Sequence, residues 1–290
     1  MKVAICLPAL MRTYEKLYQN HLEKLIEPNQ ADVFVYTSNY NDQLDTHYQI
    51  EDFTQRIKSV YGESLKGINV VTNEHIEAEM SGCEIRANMD AFYSGARKRR
   101  NDWINFYRTM KCNEMVKSYE EETGTKYDVV VKFRPDLHLD KKLDLKDVDI
   151  RDDFLYTFSP TPYSEWTYQD YCNLCHKDFG DQFLKESFYK LGEGYLVGSE
   201  YINTPFLNMF VFASRAVFQA YSQTYTHFGT LSLDSATEEG SKKLLRTQEY
   251  QIKLHLQNNG VQICNILEYP STIVREKGVL DQPLTLRFNY

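Results

Sequence analysis

Hydrophobic and polar positions divide the chain into short apolar runs and longer stretches with a helical period. Short runs rich in β-branched residues fit strands buried on both faces, and apolar residues three or four positions apart fit amphipathic helices. The predicted strands are 3–7, 31–37, 68–72, 129–131, 154–158, 208–214 and 261–266. The predicted helices are 14–26, 53–61, 101–123, 215–225 and 247–257.

The order of these elements predicts an α/β fold. Strands that alternate with helices form βαβ units, so we expect a Rossmann-like domain with a mixed, mostly parallel sheet flanked by helices. No repeat or linker divides the chain, which predicts a single domain over residues 1–290. Residues 159–195 are rich in aromatic residues and show no clean period, which indicates an irregular insertion that forms an acceptor region.

Composition excludes several classes of function. The net charge of −8 argues against a nucleic-acid partner. No stretch approaches 18 consecutive apolar residues, so we expect no membrane span. Of the six cysteines, only Cys172 and Cys175 are closely spaced, and no second ligand pair accompanies them. Scattered reduced thiols are typical of a cytosolic protein.

A predicted strand runs directly into charged residues near the middle of the chain. Val129–Val131 is the apolar part of the strand, and Arg134, Pro135 and Asp136 follow closely. The carboxyl edge of an open α/β sheet is where ligands bind. We therefore expect a binding pocket around this edge.

Asp136, His138 and Asp140 alternate along an extended segment and can share one face. Two carboxylates and an imidazole can hold Mg²⁺ or Mn²⁺, which is often shared with a substrate diphosphate. The alternative is a capped turn, in which Pro135 ends the strand and Asp136 binds the backbone.

Arg12 lies in the loop after the first predicted strand, next to Thr13 at the start of a helix. A guanidinium matches phosphate oxygens in a bidentate manner, so Arg12 is a candidate phosphate ligand. The alternative is a surface arginine at a helix start. The loop lacks the GxGxxG fingerprint of a dinucleotide site.

Several segments resemble a group of nucleotide-sugar glycosyltransferases from large algal DNA viruses and bacterial surface-polysaccharide clusters. The most informative segment is 101–140, which contains Lys111-Cys-Asn-Glu114 and ends in Tyr-Asp-Val-Val-Val-Lys-Phe-Arg-Pro-Asp. The others, in matching order, are 2–14, 212–218 and 248–260. Residues 141–195 carry no resemblance.

The resemblance implies the GT-A fold, in which an Asp-x-Asp motif holds Mn²⁺ or Mg²⁺ on the donor diphosphate. Asp136 matches that motif, but His138 stands in place of the second carboxylate. His255 resembles a late histidine ligand, with a core or surface histidine as the alternative.

The resemblance also assigns the remaining site residues. Arg12, Thr13, Lys111 and Arg134 would bind the donor diphosphate. Glu249 would be the general base of an inverting transfer, unless it only complements the dipole of its helix. Asp234 is a second candidate base.

The implied function is transfer of a sugar from a nucleotide sugar, with a UDP-sugar such as UDP-xylose favoured, to a glycan or glycoprotein acceptor. The implied location is the cytoplasm, that of the host if the protein is viral. The alternative is a non-catalytic nucleotide- or carbohydrate-binding protein with a degenerate GT-A site. A nucleotidyltransferase would carry a Gly-rich loop where this chain has Pro8–Met11.

Overall fold

A computed structural model describes residues 1–81, 97–158, 187–191, 194–199, 208–227, 252, 255–266, 271–275 and 278–279. In chain order the strands of this part are β1 Val3–Leu7, β2 Asp32–Ser38, β3 Tyr40–Asn41, β4 Thr46–His47, β5 Leu65–Val71, β6 Val129–Phe133, β7 Leu137–Leu139, β8 Phe154–Phe158, β9 Ser187–Leu191, β10 Gly194–Ser199, β11 Phe210–Ser214, β12 Gln262–Ile266, β13 Ser271–Arg275 and β14 Gly278–Val279. The helices are α1 Tyr14–His21, α2 Glu27–Asn29, α3 Ile50–Tyr61, α4 Asn73–Ser81, α5 Arg97–Thr123, α6 Arg215–Ser222 and α7 Thr224–His227.

Nine of the described strands form one large sheet in the order β5-β2-β1-β6-β11-β8-β12-β10-β9. Seven of them run in one direction, and only β10 and β11 run the opposite way. The prediction of an α/β fold with a mixed, mostly parallel sheet is confirmed.

Helices cover both faces of the sheet, which explains the unbroken apolar run of β1. Val3, Ile5 and Leu7 belong to one core cluster, together with buried residues of α1 and α3. Ala4 and Cys6 belong to the other, together with buried residues of α5 and α6. Successive strand residues point to opposite faces, so every residue of β1 is buried.

The structure contains a helix and a pair of strands that the sequence pattern does not predict. Helix α4 is present although its polar sequence shows little helical period. The irregular insertion predicted for 159–195 is wrong at its end, because β9 and β10 pair as an antiparallel hairpin that begins at Ser187. Strands this short offer too few positions for a period to emerge from an aromatic-rich background. The remaining part of 159–195 lies outside the described residues.

A small second sheet carries the residues after β6. Strand β7 pairs antiparallel with β13, and His138 lies opposite Thr272. Leu137 and Leu139 are buried, whereas His138 between them is partly exposed. Within the described ranges, no helix combines the length and apolar character needed to cross a membrane.

His21 is a fully buried histidine at the end of α1. Its Nε2 atom lies 2.7 Å from the carbonyl oxygen of Leu137, and its ring meets the Phe133 ring edge-on at 4.9 Å between centroids. A carbonyl only accepts hydrogen bonds, so Nε2 carries the proton and donates. Burial lowers the pKa of His21 to about 4.

We expect this buried imidazole to make stability depend on pH in mildly acidic solution. The unfolded chain binds a proton at His21 below a pKa of about 6.5, whereas the folded chain resists protonation until the pKa of about 4. The contribution of roughly 3 kcal/mol is therefore complete above pH 6.5 and is lost as the pH falls towards 4. Urea unfolding of the wild type and His21→Gln at several pH values checks this, because parallel stability curves would contradict it.

Candidate active site at the carboxyl edge of the sheet

Three chain segments meet at the carboxyl ends of β1, β2 and β6. The three strands are parallel neighbours, so the segments that follow them leave the sheet at the same edge. Residues 8–13 follow β1, residues 39–42 follow β2, and Arg134 follows β6. This is the edge at which open α/β sheets bind ligands.

Arg12 connects all three segments. Its Nε and Nη2 atoms each donate to a different oxygen of Asp42 at 2.7 Å, and its Nη1 atom donates to Asp136 Oδ2 at 2.9 Å. Burial lowers the pKa of the Arg12 guanidinium, but the hydrogen bonds and charges of Asp42 and Asp136 outweigh burial and raise this pKa above its usual value. Arg12 is therefore a fixed positive charge.

Arg134 binds the same carboxylate in a fork. Its Nε atom donates to Asp136 Oδ1 at 2.9 Å and its Nη2 atom to Oδ2 at 2.7 Å. Pro135 lies in a turn closed by the Leu137 amide, which donates to the Arg134 carbonyl at 3.2 Å. The turn brings Asp136 back towards Arg134, and the Asp136 side chain is only 1% exposed.

The two carboxylates hold the guanidiniums without using all of their donors. A guanidinium has five N–H groups. The hydrogen bonds to Asp42 and Asp136 use three of these groups in Arg12, and the fork uses two in Arg134. The other N–H groups remain as donors beyond these bonds, and phosphate oxygens match guanidinium geometry.

The described residues do not fit the expected Mn²⁺ or Mg²⁺ site. Both oxygens of Asp136 accept from guanidiniums, so a cation would have to bind beside two fixed positive charges. The His138 Nε2 atom accepts from Asn20 Nδ2 at 3.1 Å, and its Nδ1 atom donates to Asp140 Oδ1 at 2.9 Å. In the part of the chain that the structure describes, no group of three or more His, Cys, Asp or Glu side chains could hold a metal ion.

His255 lies in the hydrophobic core. Its side chain is 2% exposed, and its Nε2 atom lies 2.8 Å from the carbonyl oxygen of Ala220 on α6. The neighbouring helical residues Ile252 and Leu256 belong to the same core cluster as the buried residues of α6. The alternative interpretation of His255, as a core histidine, agrees with these contacts.

Lys111 lies on α5 with carboxylate partners of its own. Its Nζ atom is 3.3 Å from Glu114 and 3.9 Å from Glu79. These residues line a surface cleft of about 450 Å³ beside β5. The structure therefore places the Lys111 charge with two acidic groups and not with Arg12 or Asp136.

Thr13 is buried beside Arg12, where its main chain begins α1. Its carbonyl oxygen accepts from the amides of Lys16 and Leu17 at 3.0 and 3.2 Å. The side chain of Thr13 makes no cap hydrogen bond. The two candidate bases, Glu249 and Asp234, lie outside the described residues, and their assignment stays a prediction.

Asp42 is the site residue that the sequence interpretation missed. Asp42 ends the polar run 37–42, and its pairing with Arg12 spans 30 positions of sequence. Asn41 shapes the loop, because its side-chain oxygen accepts from the amides of Gln43 and Leu44. An acidic residue that ends such a loop is the available signal, although its partner is not visible in sequence.

Two comparisons with known proteins find no match. No model of a known protein family matches the chain. No curated protein matches it either.

Proposed function

We propose that the protein is a nucleotide-sugar glycosyltransferase that binds the diphosphate of its donor at the carboxyl edge of the sheet. The favoured donor is a UDP-sugar, with UDP-xylose as the first to test, and the acceptor is a glycan or glycoprotein. The observation that carries the proposal is the meeting of Arg12 and Arg134 on the buried carboxylate of Asp136.

The two guanidiniums suit the chemistry of the transfer. The acceptor hydroxyl oxygen attacks the anomeric carbon of the donor sugar, and the bond from that carbon to the β-phosphate oxygen breaks. The electron pair leaves with the nucleoside diphosphate, whose negative charge increases. Guanidiniums held in place before the reaction stabilise that charge where it develops.

The hydroxyl proton needs an acceptor in an inverting transfer. The proposal assigns this role to Glu249, with Asp234 as the second candidate. Asp136 has a different role from the one expected for a metal ligand, because its oxygens already accept hydrogen bonds from Arg12 and Arg134. We therefore assign Asp136 the task of positioning the two guanidiniums and route no step through Mn²⁺ or Mg²⁺.

The alternative is a binding protein that has the fold without the reaction. The observation that favours it is the missing second carboxylate at His138, whose ring nitrogens already contact Asn20 and Asp140. Both functions use the same edge of the sheet, and only turnover separates them.

Incubation with a panel of UDP-, GDP- and dTDP-sugars tests the proposal. We expect release of nucleoside diphosphate from at least one donor, slowly with water and faster with a glycan acceptor. Release requires both binding and cleavage of the sugar–phosphate bond. A protein that only binds would therefore bind a nucleotide sugar without releasing nucleoside diphosphate from it. Absence of release across the panel would contradict the proposal, and binding without release would favour the alternative.

A further inference from the structure

Arg108 is a buried arginine at the same edge of the sheet. It lies on α5, and its side chain reaches the ends of two neighbouring parallel strands. Its Nη2 atom donates to Ser38 Oγ, at the end of β2, at 2.8 Å. The same nitrogen lies 3.5 Å from Asn73 Oδ1, which follows β5.

No carboxylate forms an ion pair with this guanidinium among the described residues. Arg108 is 4% exposed, both oxygens that accept from it belong to neutral groups, and its buried Nε atom has no hydrogen-bond partner. A buried charge without an ionic partner is costly, and so is a buried donor left unsatisfied. Packing alone does not require this arrangement, because an apolar side chain could fill the same volume.

The guanidinium keeps its charge at neutral pH and belongs to the same electrostatic environment as Arg12. Burial lowers the pKa of Arg108 to about 10, Tyr36 and Asp42 oppose this effect, and Arg12 adds to it. Arg12 and Asp42 therefore act electrostatically on Arg108, and Arg12 shares the carboxylate of Asp136 with Arg134. Among these described residues three guanidiniums outnumber two carboxylates, although the whole chain carries a net charge of −8.

We propose that Arg108 binds a phosphate of the donor, and that Arg12, Arg108 and Arg134 together replace the divalent cation. The inference rests on the proposed function for the identity of the donor. An anionic oxygen bound by the Arg108 guanidinium would supply the ionic partner that the described residues do not provide. The same three groups explain how a site whose acidic motif reads Asp-Leu-His can hold a diphosphate.

Calorimetric titration with inorganic pyrophosphate in excess EDTA tests the inference without relying on a nucleotide or on turnover. We expect wild-type protein to bind in EDTA about as tightly as with Mn²⁺. Arg108→Gln should weaken binding about tenfold or more, because it removes charge-assisted hydrogen bonds. Arg56→Gln is the matched control, since Arg56 is also helical but is 44% exposed and pairs with Glu15. Its affinity should stay within about twofold of wild type.

Two milder variants cover the case in which Arg108→Gln does not fold. Arg108→Lys keeps the positive charge but loses the planar guanidinium, which can bind a phosphate through two N–H groups. Ser38→Ala removes the hydroxyl that accepts from Nη2. Both should weaken pyrophosphate binding by a smaller factor than Arg108→Gln. Binding that requires Mn²⁺, or unchanged affinity in folded Arg108 variants, would overturn the inference.

Failure of this inference and failure of the proposed function give different results. If nucleotide sugars are turned over, but pyrophosphate binding requires Mn²⁺ or is unchanged in the Arg108 variants, the inference fails and the function stands. If pyrophosphate binds through Arg108 in EDTA but no nucleotide sugar is bound or cleaved, the anion site stands and the function fails.

Discussion

Replacement of Asp136 by alanine is expected to lower the free energy of unfolding by about 3 kcal/mol. The carboxylate is 1% exposed and accepts hydrogen bonds from Arg12 and Arg134. Its removal leaves the Arg134 guanidinium without its ionic partner and the Arg12 guanidinium with Asp42 alone. Water reaches both arginines, whose side chains are 18% and 24% exposed, so we place the loss at the lower end of the range for broken buried pairs.

The chain contains a matched control for this variant. Arg151 binds Asp153 in the same fork and at the same spacing of two residues, with distances of 2.9 and 2.6 Å. The Asp153 side chain is 43% exposed, so Asp153→Ala should cost less than about 1 kcal/mol. Urea unfolding of both variants at neutral pH gives the comparison. Equal losses in the two variants would mean that burial does not strengthen the Asp136 pairs.

The strand-to-turn segment around Asp136 is the part of the site that sequence predicts best. Val129–Val131 reads as a buried strand because helices cover both faces of the sheet. Pro135 fixes a turn at a known place, and Asp136 follows in the same segment. These are local properties, so residue types and spacing are sufficient to predict them.

The contacts that complete the site are not local. Asp42 meets Arg12 across 30 positions, and Arg108 meets Ser38 across 70. Arg108 also stands in a helix where a charged residue normally faces solvent. Its burial depends on how α5 packs against β1 and β2. Sequence pattern predicts that this helix exists, but it does not predict which turn faces the edge of the sheet.

The histidines show a second limit of sequence motifs, because both rings have contacts that their spacing does not predict. His138 was expected beside Asp136 as a metal ligand, and its ring contacts Asn20 and Asp140. His255 was expected as a further ligand, and its ring contacts the Ala220 carbonyl in the core. The spacing of titratable residues does not reveal whether their nitrogens are already satisfied by neighbours.

Replacement of Arg12 by glutamine is expected to weaken binding of nucleoside diphosphates about 100-fold, because several charge-assisted hydrogen bonds and one full charge are lost together. Arg12 contributes N–H groups beyond those bound by Asp42 and Asp136, and it is the residue that joins the three segments of the edge. Arg12→Lys keeps the charge without the fork and should fall between wild type and Arg12→Gln. Arg151→Gln is the control, because it removes a bidentate arginine at a surface site.

Calorimetric titration of these four proteins with UDP and GDP is the most direct test that the carboxyl edge of the sheet binds the donor diphosphate. We expect wild type and Arg151→Gln to bind at least one of the two nucleotides with equal affinity. We expect Arg12→Gln to bind that nucleotide about 100-fold more weakly while it remains folded. Undiminished binding by folded Arg12→Gln, or no binding of either nucleotide by the wild type, would contradict this expectation.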